Sequence, residues 1–213
     1  EGERAASVRL SNDVTVSGSG VAGVEVLGSG TVRPLVELVG AVRTVNTSEG
    51  TTLSVAANIA GQSVLKAGVG AMSLTGSLAL TEALTVQGGQ VLLSGRAGVG
   101  SLEVAAGAGF SASSAMRVDG QSVIRGSVTM SGTAELLGAV RLDGGELTLS
   151  GAPKFGSDVR LLGGRLNLGG VMTMGSVQTL RLSGGSAVLA SNTGLDAGRL
   201  EFDGGKLVYG TGV

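Results

Sequence analysis

Four arginines offer the most legible chemistry in this chain. Arg117, Arg141, Arg160 and Arg181 each stand three residues before a glycine that opens a turn. If those glycines mark equivalent corners, the four guanidinium groups form one column at strand spacing, each a planar fork suited to a carboxylate, sulfate or phosphate. A column of like charges repels itself, so it must be solvated, paired with acids or turned toward an anion. Asp143, Glu146 and Asp158 are the acids at hand for pairing. The net charge of only -1 favours that quieter reading. The functional alternative is a stripe that engages an anionic polymer, such as a surface glycan, or a lipid headgroup.

Carboxylates are the second candidate. Glu201 and Asp203 lie two apart and would project from one strand face, and Asp143 would join an acid on a neighbouring strand. Two carboxyl groups on one face are what a polysaccharide-cleaving site needs. Asp119, Asp143 and Asp203, however, each precede a turn glycine, where aspartate is favoured because its side chain bonds the turn backbone. Structural duty is the preferred reading. The chain has no histidine, which removes the commonest general base and any Ser-His-Asp triad. It has no cysteine, which removes disulfides, thiol nucleophiles and zinc fingers together. The expectation is a protein that is not an enzyme and holds no cofactor and no metal.

Two further motifs carry little. Gly18-Ser19-Gly20 and Gly98-Val99-Gly100 resemble phosphate loops, yet no amphipathic helix follows either. Asn46-Thr47-Ser48 fits an N-glycosylation acceptor, which matters only in a eukaryotic secretory setting. With no basic excess and almost no aromatic residues on which bases could stack, nucleic acid is not expected as a partner.

The elements that would position these side chains come from a repeat. Arg141-Leu142-Asp143-Gly144-Gly145-Glu146-Leu147-Thr148-Leu149 returns as Arg160 to Leu168, as Arg181 to Leu189 and as Glu201 to Tyr209. An earlier copy runs from Thr85 to Leu93, and a degraded one starts at Arg117-Val118-Asp119-Gly120. The step of roughly 20 residues lies in the range of solenoid arrays. Within each unit apolar and polar residues alternate, as in Glu146-Leu147-Thr148-Leu149, the mark of a strand with one wet face. Helical spacing is nowhere sustained, and 40 glycines would penalise helix throughout. A hairpin meander on the Gly-Gly pairs remains an alternative. Like falling on like at a constant interval argues instead for stacked parallel coils.

The reading is therefore all-β: a parallel β-solenoid of roughly ten coils, one domain over residues 1–213. Residues 1–60 are expected to form irregular coils and about 61–213 the regular repeats. Ala41 to Glu49 is the best candidate for an irregular excursion, and Pro34 for a bulge or corner. Three inward files follow: Leu142, Leu161, Leu182 and Phe202; Leu147, Leu166, Ala187 and Leu207; Leu149, Leu168, Leu189 and Tyr209. Neither terminus resembles a polar cap, so the chain reads as a fragment of a longer solenoid or a subunit that stacks on copies of itself end to end. No apolar run reaches the length of a spanning helix, and no signal peptide is visible.

The units Gly144 to Gly151, Gly163 to Gly170 and Gly204 to Gly210, with Gly-Gly-x-Leu-x-Leu and a following Ser or Gly, resemble the autotransporter or passenger-associated β-strand repeat. The likeness covers residues 85–211 well and the first third poorly. It implies a right-handed β-helix at a bacterial cell surface or shed from it, acting as stalk, adhesin or toxin scaffold. The functional expectation is an extracellular structural or adhesive rod or filament. The alternatives are a module that binds a polyanion or glycan through its arginine ladder and a polysaccharide-cleaving β-helix.

Overall fold

Period-two alternation between short glycine corners produces strands of two to nine residues, 28 in all, with no helix among the described residues. The structure, a computed structural model, describes residues 7–17, 20–24, 35–190 and 194–210. Pro34 lies outside the described residues, as do Gly18 and Ser19 of the first glycine motif. Each coil contributes one strand to each of three faces. In a central coil these are Met116–Val118 on the first face, Ser122–Ile124 on the second and Ser127–Met130 on the third. The first two faces count as one 18-stranded sheet because Leu78–Val86 and Ala97–Val104 run through their shared corner. The third face is a separate sheet of ten strands.

Every pairing is parallel and joins one coil to the next. On the third face Leu147 sits over Leu166, Leu166 over Ala187 and Ala187 over Leu207, while Leu149, Leu168, Leu189 and Tyr209 form a second file. On the second face Leu142, Leu161, Leu182 and Phe202 stack likewise. All three expected files are present, so the chain is a parallel β-solenoid. Strand neighbours supply the backbone partners and the apolar wall that a lone coil lacks. Leu142, Leu147, Leu149, Leu161 and Leu166 are completely shielded from solvent. At the last rung Phe202 and Tyr209 are 54% and 66% exposed, because no further described coil covers them.

Glycine is required where the chain turns from the second face into the third. Gly164 has φ +79°, and a β-carbon there would strike the Gly145 carbonyl oxygen of the coil before it. A side chain would therefore hold the coils apart as well as strain the backbone.

Two expectations need correction. Ala41 to Glu49 is no excursion: Val42–Thr47 is a strand of the second face, paired with Val14–Val16 and with Ser63–Ala67. Its alternation was hidden by Arg43 and Thr44, which occupy consecutive half-buried positions. The longest steps between paired residues are those from Val14 to Val45 and from Gly20 to Thr51. The second correction concerns Arg117-Val118-Asp119-Gly120, which is not a copy of the Arg141 unit. Arg117 lies on the first face opposite Glu135, and the true counterpart of Arg141 is Val123. Each coil has two corners entered by an alternating strand and a glycine, so one short pattern occurs on two faces.

Candidate functional site

Because Val140 and Leu142 point inward, Arg141 between them must point out, and the same holds for Arg160 between Val159 and Leu161 and for Arg181 between Leu180 and Leu182. The ladder register places these three arginines directly over one another on consecutive rungs of the second face, about 4.8 Å apart. Glu201 follows Arg181 on the next rung. Three of the four expected arginines thus form the column, and Arg117 does not belong to it.

Acids engage the column unevenly. Arg141 donates from Nη2 to Asp143 at 3.2 Å, just past the end of its own strand, and Arg181 donates from Nη2 to Asp203 at 3.3 Å on the next coil. Arg181 also lies 3.8 Å from Glu201, which Arg199 holds at 3.0 Å. Arg125 links Glu103 at 2.7 Å to Asp143 at 3.7 Å. Arg160 has no acid within ion-pair reach among the described residues. Of the acids expected to balance the column, only Asp143 does so. Glu146 accepts from Asn167 at 2.7 Å, and Asp158 accepts from the Thr179 amide at 2.8 Å. The aspartates before the turn glycines serve arginine more than the turn: Asp119 accepts from Arg117 Nε at 2.7 Å. Glu201 and Asp203, the carboxylate pair, are both engaged by Arg181.

One charged residue escaped the sequence reading. Lys66 lies in the inward file of the second face, between Val45 and Val86, and is fully buried. Its ammonium donates to the carbonyl oxygens of Ala67, Gly68 and Gly88 at 2.8, 3.0 and 3.1 Å. Three acceptors match the three protons of a charged lysine. Burial nevertheless opposes the charge and lowers its pKa from 10.5 to about 8. Counting back 20 residues from Val86 would have found it, since that step lands on Lys66. No family model, curated protein or solved structure matches this chain.

Proposed function

We propose that this chain is a structural and adhesive rod that works outside the cell, at or near a cell surface, through its shape and its repeated surface rather than through turnover. The observation that supports this most is the uninterrupted stacking of ten strands on the third face, along which Leu147, Leu166 and Ala187 fill one inward file. Nine intervals at ladder spacing give a length of about 45 Å, and parallel hydrogen bonds along that whole axis make the body stiff. Its smooth faces suit display of many equivalent side chains along one line. Copies joined end to end would lengthen the rod by continuing the ladder.

Electron micrographs of the purified chain test the reading. Straight rods about 45 Å long, or end-joined multiples of that length, are expected. Round particles or flexible threads would overturn it. Beads coated with the chain should also adhere to cells or to extracellular matrix more than uncoated beads do, and equal adhesion would remove the adhesive half of the proposal.

A further inference from the structure

On the first face, charges meet their opposites. Arg9 contacts Glu37 at 3.1 Å one rung away, Arg117 contacts Glu135 at 3.5 Å, and Lys154 follows Glu135 on the next rung. The second face breaks that pattern over three rungs, with arginine on arginine on arginine. Like charges placed opposite one another destabilise a ladder, so the fold bears a cost here that it avoids on the neighbouring face. Internal acids relieve only the ends of the column. The place that Asp143 takes beside Arg141 is filled beside Arg160 by Leu162, which leaves the central guanidinium without an acid among the described residues.

The coil that holds Arg160 is charged out of proportion. Lys154, Arg160 and Arg165 are all exposed, against Asp158, whose carboxylate is turned to the Thr179 amide. Around the corner, an open trough of about 450 Å³ lies between Arg125 and Arg165, floored by Gly126, Gly145 and Gly164, with Glu146, the ladder neighbour of Arg165, as the acid on its wall.

We infer that this surface binds a linear acidic polysaccharide, carboxylated or sulfated, laid along the solenoid axis with Arg160 as its central contact and Arg165 flanking it. A single file of forks fits a chain better than a plane of lipid headgroups. The rungs, about 4.8 Å apart, advance by roughly one sugar of an extended chain, so successive anionic groups pass Arg141, Arg160 and Arg181 in turn, with Arg141 and Arg181 shared with Asp143 and Asp203. Each guanidinium can grip a carboxylate or sulfate with two parallel hydrogen bonds. Nucleic acid fits poorly, because the column offers no aromatic platform and the chain has no tryptophan. The inference goes beyond the rod reading, and the rod stands whether or not the ligand does.

The test uses the intact chain, immobilised and titrated with polygalacturonate and with dextran sulfate. Uncharged dextran, phosphatidylglycerol vesicles and single-stranded DNA serve as comparisons. Binding to an acidic polysaccharide is expected, weakening as salt rises. Arg160→Gln is expected to lower the affinity about tenfold, the loss of one charge-assisted contact, while Arg9→Gln on the other face leaves it unchanged. Should Arg160→Gln melt below the parent chain, Arg165→Gln carries the same expectation from the far side of the corner. Failure of the parent chain to bind either polysaccharide, parent-like affinity in the folded variant, or tighter binding to vesicles or DNA overturns the inference. Micrographs of the same variants keep the two readings apart, since the rods should persist in each.

Discussion

The Lys66 ammonium donates to the Gly88 carbonyl oxygen one coil further on, at 3.1 Å, from inside a file that is otherwise aliphatic around it. The side chain ties two corners together through the core. Lys66→Met removes the donor and strands three half-buried acceptors, so the variant is expected to lose about 1–3 kcal/mol of stability at neutral pH. Urea unfolding measures this, and a variant as stable as the parent would contradict the role given to the ammonium.

The same lysine makes stability depend on pH. Its pKa is 10.5 when unfolded and about 8 when folded. As pH falls from 10.5, the unfolded chain takes the proton first, so the folded state loses ground until about pH 8 and its disadvantage is then constant. The parent chain should therefore gain stability relative to Lys66→Met between pH 8 and 10.5, by about 3 kcal/mol at most. Unfolding of both proteins at pH 7.5, 9 and 10.5 checks this. A constant difference would refute it.

Ser122 lies in the core between Leu102 and Val140, fully buried, and its hydroxyl has no partner among the described residues. Ser122→Ala deletes that unsatisfied group and is expected to raise stability by roughly 1 kcal/mol. A drop in the melting midpoint would show that the hydroxyl is used.

Leu166 is stacked between Leu147 and Ala187 and is completely buried. Leu166→Ala is expected to cost about 2–5 kcal/mol, toward the upper end because Ala187 cannot fill the gap. Denaturant midpoints report the loss, and one below 1 kcal/mol would mean that the coils close over the void.

Gly164→Ala should be damaging for a different reason, combining a left-handed backbone with a collision against Gly145 of the preceding coil. A loss of more than about 1 kcal/mol is expected. Gly144, also at positive φ, has nothing near its would-be β-carbon, so Gly144→Ala should cost less. Equal losses in the two variants would show that collision adds nothing to backbone strain.

Much of this fold is legible in the amino-acid order because each constraint repeats. Val128 to Leu147 and Leu147 to Leu166 are steps of the same length along one file, and Gly-Gly marks the corner before both Leu147 and Leu166, so stacking follows from counting. Arg117 misleads because two corners per coil share one local chemistry, and only the pairing with Glu135 separates them. Lys66 was hidden by parity: Val64 and Leu65 are both apolar, and the local string does not say which of them faces in. That Arg160 has no acid beside it among the described residues was equally hidden, since it depends on Leu162 standing where a coil earlier has Asp143.

In-register stacking also governs how such a chain can change over generations. Ala97 faces Met116, nineteen positions later. Duplicating or deleting one whole coil, from a residue to its ladder partner, returns every inward residue to the inside, and the body grows or shrinks by one storey with its flanks intact. A single inserted residue within a strand would turn the following alternation inside out. Descendants of this gene should therefore differ in height far more readily than in girth.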